Sequence, residues 1–202
     1  MHAGIWDQRY GAAEFAYGTA ANEFFAQELS KLEPGELLLA AEGEGRNAVF
    51  AVQHDWYVAA FDYSAEARNK ALQLAKEHKV AFSYEVCSYE NYKAPAGFFN
   101  CIGLIYAHMG PEDRKKLHAQ CIHWLKPGGT IILEAFHPTQ LEKGYTSGGP
   151  KDASWLYTED LLREDFEGLG NVQIQVTEVA LNEGKYHQGM AAVIRMVARK
   201  AL

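Results

Sequence analysis

The stretch ELLLAAEGEGRNAVF, residues 36–50, joins a short apolar run to a turn with two glycines and then to a helical pattern. Its first part, residues 36–41, is almost continuously apolar and of strand length, which is typical of a strand buried on both faces of a sheet. Gly43 and Gly45 allow the backbone to turn tightly after that strand. The stretch therefore predicts a buried strand, a glycine turn and a helix over residues 46–54.

The alternation of strand and helix continues along most of the chain. Further short apolar runs predict buried strands at residues 57–62, 80–86, 98–106 and 129–136. Helical spacing predicts helices over residues 65–78 and 112–125, the second ending at the turn KPGG. Strands and helices in this order form a parallel sheet covered on both faces.

The end of the chain follows a different pattern. Two long β-rich runs, residues 172–181 and 189–198, flank the turn NEGK and predict a hairpin. The last strand of such a hairpin enters the sheet antiparallel to its neighbours. The whole pattern predicts an α/β fold of three layers, doubly wound around a mostly parallel sheet with an antiparallel C-terminal hairpin strand.

Composition limits the classes of protein. The chain has 202 residues, 48% of them hydrophobic and 22% charged, which suits a single domain over residues 1–202. No apolar run approaches the ~18 residues that cross a bilayer, and the N-terminus lacks an apolar signal core, so we expect a cytoplasmic protein without a membrane partner. The net charge of -7 argues against a nucleic-acid partner.

Cysteine and histidine spacing indicates no metal site. Cys87, Cys101 and Cys121 contain no CxxC pair and fall in or beside predicted strands and helices, which favours buried free thiols. His118 and His123 are five residues apart, so they do not form an i, i+4 metal pair. We expect both of these histidines on a helix surface.

The glycine turn lies at the carboxyl end of the first predicted strand, where open α/β sheets bind their ligands. Gly43-x-Gly45-x-x-Ala48 matches a dinucleotide fingerprint, and Asp62 follows the second strand, where an acid accepts hydrogen bonds from ribose hydroxyls. An NAD(P)-dependent oxidoreductase is one interpretation of this match. A solvated glycine turn that binds no ligand is another.

Glu42 and Glu44 discriminate between cofactors by their charge. A pyrophosphate at this turn would meet both acids, and like charges at ~4 Å repel by about a few kcal/mol near a protein surface. S-adenosylmethionine has no phosphate and carries a sulfonium and an ammonium group, which a carboxylate attracts. The two acids therefore favour S-adenosylmethionine, and the sequence leaves open which of them makes the contact.

Several motifs together carry a family resemblance that covers nearly the whole chain. They are WDQRY (6–10), YGTAANEF (17–24), AEGEGRNAVF (41–50), AFDYS (60–64) and LKPGGTIILEAFHPTQL (125–141). With these motifs the chain resembles the class I S-adenosylmethionine-dependent methyltransferases, and among them the tellurite-resistance-like and thiopurine-methyltransferase-like group. The resemblance implies a Rossmann-like methyltransferase fold with a seven-stranded sheet, in which residues 1–33 form a helical cover over a sheet core of residues 34–202.

The resemblance also implies a map of the cofactor site. The methionine end would meet the glycine turn, at Glu42, Gly43, Glu44, Gly45, Arg46 and Asn47. The ribose would meet Asp62 and Tyr63, and the adenine and sulfonium would lie near Cys87, Ser88, Tyr89, Tyr106 and His108. The N-terminal cover would contribute Trp6, Tyr10, Tyr17, Gly18 and Asn22, although an aromatic-rich N-terminal helix also suits simple packing.

Catalytic candidates follow the predicted strands. His108 comes after the fourth strand and is the leading candidate for a base near the transferred methyl, with packing or capping as the alternative. His137 follows the fifth strand, ahead of a Gly-rich segment, residues 144–150, that suits a lid or an ordinary surface loop. We expect His187 to be exposed at the hairpin turn, and Arg195 either to face an anion pocket or to form a structural ion pair.

The expected acceptor is a small molecule, namely a thiol, a metalloid oxyanion or another small heteroatom nucleophile. A base is needed only where the acceptor arrives protonated. A cofactor-binding regulatory module without acceptor chemistry is the non-enzymatic alternative.

Overall fold

A central sheet of seven strands, in the order β3-β2-β1-β4-β5-β7-β6, organises the molecule. The computed structural model describes residues 3–202, so residues 1 and 2 of the predicted cover lie outside the described residues. The strands are β1 (Glu36–Ala40), β2 (Tyr57–Asp62), β3 (Ser83–Val86), β4 (Phe99–Ile105), β5 (Leu125–Phe136), β6 (Gly170–Glu183) and β7 (His187–Arg199). Strands β1 to β5 pair in parallel, whereas β7 is antiparallel to both β5 and β6, which confirms the predicted fold.

Helices cover both faces of this sheet. They are α1 (Ala3–Tyr10), α2 (Glu23–Leu29), α3 (Arg46–Gln53), α4 (Ala65–His78), α5 (Pro111–Trp124), α6 (Thr139–Glu142) and α7 (Glu159–Asp165). Alternate side chains of β1 point to opposite faces. Leu37 and Leu39 pack into a buried cluster with α2 and α3, and Leu38 packs into another with α5 and α7. In residues 3–202, no helix combines the length and apolar character needed to cross a membrane.

Two strand boundaries differ from the sequence prediction by more than two residues. The third strand begins at Ser83 rather than at residue 80, because the N–H of Val80 bonds to the carbonyl of Ala75 and completes the end of α4. The fifth strand begins at Leu125, so the predicted turn KPGG lies inside it. There the N–H of Gly128 bonds to the carbonyl of Lys200, which holds the segment against the end of β7.

The prediction that His118 lies on a helix surface is wrong. Its side chain is 1% exposed, and its Nδ1 lies 2.7 Å from Oδ2 of Asp165. Arg114 also donates to Asp165, over 2.7 Å, and the imidazole stacks on Phe166. Helix α7 therefore covers this side of α5, a contact that helical spacing alone does not show. His123 is exposed, as expected.

The cysteines largely match their prediction. Cys101 and Cys121 are fully buried free thiols, and Cys87 is a half-buried one after β3.

Candidate active site

A cavity of about 560 Å³ lies at the carboxyl ends of β1, β2 and β4. The glycine turn and Asp62 form one part of its wall, and the ends of β4 and β5 form another. Trp6, Arg9 and Tyr10 of α1 line it from the N-terminal side. The sheet edge predicted to bind a ligand therefore has a concave site with walls from distant parts of the chain.

The glycine turn is held in a fixed conformation. Ala41, Gly43 and Gly45 have positive φ values of 54°, 66° and 86°. A Cβ on Gly43 would lie 3.0 Å from Oη of Tyr10, and one on Gly45 would lie 2.7 Å from Cβ of Ala71. Both positions therefore require glycine, for the backbone conformation and for the close approach of a neighbouring element.

Glu42 carries a carboxylate that remains partly open to the cavity. Its Oε1 accepts hydrogen bonds from the backbone N–H groups of Asn47 and Ala48, both over 2.9 Å, and so caps the start of α3. Burial raises the pKa of Glu42 to about 7, although these hydrogen bonds oppose the rise. The residue lines the cavity and is half-buried, so its carboxylate is available to a cationic ligand.

Glu44 is bound by the protein itself. Its side chain is 2% exposed, and Oε1 lies 2.8 Å from the ammonium of Lys70. Its Oε2 accepts a hydrogen bond from the backbone N–H of Ala16 over 2.8 Å. Glu44 therefore connects the glycine turn to α4 and to the N-terminal segment.

Asp62 holds the glycine turn against the end of β2. Its Oδ2 accepts the N–H of Gly43 over 3.1 Å, and its Oδ1 accepts the N–H of Ser64 over 3.0 Å. Burial raises the pKa of Asp62 to about 6 in spite of these hydrogen bonds. The carboxylate lines the cavity beside Tyr63, as the resemblance implies for a ribose contact.

The N-terminal aromatic residues form one wall of the cavity. The rings of Trp6 and Tyr10 stack with centroids 5.7 Å apart, and the guanidinium of Arg9 lies 5.0 Å from the Trp6 ring. Arg9 also donates to Oη of Tyr17 over 2.7 Å. Tyr17 and Gly18 line the same cavity. This placement agrees with a cover over the glycine turn.

Arg46, Asn47 and Tyr106 line this cavity, whereas five of the cofactor candidates lie outside its wall, namely Asn22, Gly45, Cys87, Ser88 and Tyr89. Cys87, Ser88 and Tyr89 follow β3, and the hydroxyl of Tyr89 donates to Asp113 over 2.8 Å instead. The side chain of Asn22 lies behind the wall, where it donates to Glu134 over 2.6 Å and to Glu183 over 3.1 Å. Asn22 and Tyr89 therefore connect neighbouring elements in this structure.

His108 lines the cavity but does not meet the requirement for a base. Its Nδ1 lies 2.8 Å from the carbonyl oxygen of Trp155, so that nitrogen carries the proton. Its Nε2 accepts the backbone N–H of Phe136 over 3.0 Å. Burial lowers the pKa of His108 to about 4. Because both ring nitrogens are engaged, no lone pair is left for an acceptor, and the expectation of a catalytic base at His108 fails.

His137 also has a structural position. Its Nδ1 accepts the backbone N–H of Thr139 over 3.3 Å, at the start of α6, and the residue is not part of the cavity wall. The Gly-rich segment behind it contributes Gly149 and Pro150 to the wall.

Arg195 forms a structural ion pair, which is one of its two predicted roles. Its Nε lies 2.6 Å from Oε2 of Glu134.

His187 was expected at the surface, but it is 5% exposed and lines the cavity. Its ring lies between Tyr17 and Tyr106, with centroids 4.5 Å from each. Its Nδ1 is 3.0 Å from Oε2 of Glu183. No local signal in the hairpin turn indicates this burial, because the covering residues come from the N-terminal segment and from β4.

Comparisons with known proteins agree with this fold. A family model described as a methyltransferase domain matches residues 38–129, which include the glycine turn, Asp62 and strands β2 to β4. A sequence comparison with curated proteins found no match.

Solved structures share the fold over most of the chain. One, described as converting a disulfide bond into a thioacetal group during echinomycin biosynthesis, is 15% identical with a TM-score of 0.77, over 98% of this chain and 92% of the other. An S-adenosylmethionine-dependent methyltransferase from Methanosarcina mazei is 15% identical with a TM-score of 0.72, over 91% and 99%. TehB from Haemophilus influenzae is 13% identical with a TM-score of 0.69, over 98% and 66%.

The sheet order, the antiparallel last strand and the glycine turn define the Rossmann-like fold of the class I methyltransferases. Residues 38–129 match the methyltransferase domain. This match and the shared fold indicate that the protein is an enzyme with a methyltransferase domain.

Proposed function

We propose that this enzyme moves a methyl group from S-adenosylmethionine to a small acceptor inside the 560 Å³ cavity. The observation that carries the proposal is the placement of two carboxylates, Glu42 and Asp62, on the wall beside the glycine turn. Glu42 is half-buried, while its neighbour Glu44 is engaged by Lys70. The donor set therefore suits a cofactor that combines a cation with a ribose.

Each part of the wall has a role in this proposal. Glu42 binds the ammonium of the cofactor's methionine end, and Asp62 accepts the ribose hydroxyls. The backbone of Gly43 and Gly45 lets the ligand approach the turn closely. Residues 3–33 act as a cover over the sheet core within one domain, with Trp6 and Tyr10 above the turn.

Bound S-adenosylmethionine supplies a methyl group on a cationic sulfur. The chain's own contribution is to align an acceptor with that methyl and to exclude water. The wall beyond the glycine turn is largely aromatic, with Tyr106, Phe136, Trp155 and His187. Such a wall suits a small acceptor with an apolar or aromatic body. The tellurite-resistance-like resemblance and the shared fold with TehB also support a small acceptor.

Calorimetric titration tests the proposal directly. We expect S-adenosylmethionine and S-adenosylhomocysteine to bind the wild-type protein, and NADH not to bind. The Glu42→Gln variant should bind both adenosyl ligands more weakly. If NADH bound and the adenosyl ligands did not, the site would belong to an oxidoreductase.

Turnover separates an enzyme from a regulatory module. S-adenosylhomocysteine formation is measured with a panel of thiols, phenols, amines and metalloid oxyanions. Tight cofactor binding without turnover on any of them would favour the module and count against the proposed reaction.

A further inference from the structure

His187, at the start of β7, lies within a box of aromatic rings at the cavity wall. Tyr17 and Tyr106 lie at centroid distances of 4.5 Å, and Phe136 lies at 5.4 Å. A Cβ on Gly148 would come within 2.8 Å of Cδ2 of the imidazole, so this glycine gives the ring its space. The box fixes the plane of the imidazole and leaves one edge toward the cavity.

Glu183 fixes the proton on that imidazole. Its Oε2 lies 3.0 Å from Nδ1 of His187 and 3.0 Å from Nη2 of Arg46. Burial disfavours the charge on Glu183, but the hydrogen bond from His187 and the charge of Arg46 outweigh it and lower its pKa to about 2. An ionised carboxylate accepts only, so Nδ1 carries the proton and Nε2 holds a lone pair.

The other nitrogen, Nε2, belongs to a ring that lines the cavity. Among residues 3–202, Nε2 of His187 has no hydrogen-bond partner, and it lies on the side of the ring away from Glu183. Burial lowers the pKa of His187, so the ring is neutral near pH 7 and able to accept a proton. Glu183 opposes this shift and stabilises the imidazolium once the proton arrives.

We propose that His187 is the general base of the methyl transfer and that the acceptor carries a neutral O–H or S–H group. This inference rests on the proposed function. The acceptor heteroatom forms a bond to the methyl carbon while the sulfur–methyl bond breaks, and the electron pair of that bond stays on sulfur. The acceptor's proton moves to Nε2 of His187 and then to water. Glu183 is the positioning residue, because it holds the tautomer that leaves Nε2 free.

The groups around His187 agree with a neutral acceptor. Arg46 and Glu183 compensate each other, and Glu134 is paired with Arg195. Tyr17 and Tyr106 have raised pKa values and stay neutral, mainly because they are buried. His108 is neutral as well. The rings that contact His187 are therefore neutral, and Nε2 accepts the proton of a hydroxyl or thiol. Two cations, Lys151 and Arg9 beside Tyr17, lie elsewhere on the cavity wall.

A chromophoric probe tests the proton transfer without knowledge of the natural acceptor. The protein, loaded with S-adenosylhomocysteine, is titrated with 4-nitrophenol just below the pKa of the free probe. We expect binding to produce the absorbance of the probe's anion. In His187→Gln the anion fraction of the bound probe should fall about tenfold. The exposed His123→Gln variant is the control and should behave as wild type.

The outcomes distinguish the two proposals. An unchanged anion fraction in His187→Gln, or no binding of 4-nitrophenol while S-adenosylhomocysteine binds normally, overturns the role of His187. Failure of S-adenosylhomocysteine itself to bind counts against the proposed function instead.

A spectrum of the wild-type protein provides a test that needs no variant. Long-range nitrogen–proton correlation of the imidazole should show a proton on Nδ1 and none on Nε2 at neutral pH. The opposite tautomer, or an imidazolium, overturns the proposal.

The same spectrum of the Glu183→Gln variant tests the positioning role. The preference for the Nδ1–H tautomer should weaken in this variant, which reports the role of Glu183 separately from stability.

Discussion

The ammonium of Lys70 lies 2.8 Å from Oε1 of Glu44, and both side chains are almost fully buried between α4 and the glycine turn. Lys70 also donates to the carbonyl of Glu14, and Glu44 accepts the N–H of Ala16. The pair therefore connects three segments that are far apart in sequence. Both acids of the turn line the cavity, but Glu44 is paired with a cation, whereas Glu42 accepts hydrogen bonds at the start of α3.

The Glu44→Gln variant should be less stable than wild type. The substitution leaves the buried ammonium of Lys70 without its counter-charge, which costs about 3 kcal/mol of the free energy of unfolding. Urea denaturation followed by circular dichroism measures this loss. Glu178→Gln is the matched control, because Glu178 pairs with Lys143 at the surface and its loss should change little. Equal stability of Glu44→Gln and wild type would contradict a structural role.

The Glu42→Gln variant should lose cofactor affinity rather than stability. Glutamine retains the Oε1 acceptor that caps α3 but removes the charge that attracts an ammonium. A charged hydrogen bond contributes roughly 1.5–3 kcal/mol, so the Kd for S-adenosylhomocysteine should rise at least about tenfold. Calorimetry measures the Kd, and urea denaturation checks that the fold is intact. A normal Kd would exclude Glu42 from the contact.

Cofactor affinity should depend on pH through Glu42 and Asp62. Burial raises their pKa values to about 7 and about 6, so in the free protein both carboxylates gain protons as the pH falls through this range. A cationic ligand binds the ionised form of Glu42, and binding therefore releases protons. The Kd should rise as the pH falls from about 8 to about 6.

Calorimetry in two buffers of different ionisation enthalpy measures the released protons. Glu42→Gln should release fewer of them, and the remainder should come from Asp62. An affinity independent of pH would show that neither carboxylate changes its charge on binding. The same raised pKa values mean that the charge on these two carboxylates disfavours folding. The stability that they contribute is fully present below their unfolded pKa values and is lost as the pH rises through about 6 and about 7.

The fold followed closely from local sequence patterns. Continuous apolar runs marked the buried strands. A strand that is covered on both faces is apolar at nearly every position, whichever helices cover it. Gly43 and Gly45 were recognisable because their backbone conformation excludes other residues. Asp62 could be placed beside them because parallel strands end at the same edge of a sheet.

The roles of the histidines could not be read in the same way. Whether an imidazole is free depends on partners that are distant in the chain, such as the carbonyl of Trp155, 47 residues from His108. His187 follows a hairpin turn, a position that is exposed in most hairpins. Here Gly18 approaches Gly184 so closely that a Cβ on Gly184 would lie 2.3 Å from the Gly18 nitrogen. The N-terminal segment thereby covers the turn and buries His187.

His108→Leu should lower stability, because His108 joins the ends of β4 and β5 to the segment around Trp155. Leucine leaves the carbonyl of Trp155 and the N–H of Phe136 without partners, at a cost of about 1–3 kcal/mol for each buried group. Urea denaturation measures the total, with the exposed His123→Leu as control. Hydrogen exchange locates the cause, since the amide of Phe136 should exchange faster in His108→Leu. Proton transfer from bound 4-nitrophenol to the protein should persist in that variant as long as it folds. If His108→Leu had normal stability but had lost this proton transfer, His108 rather than His187 would be the catalytic base.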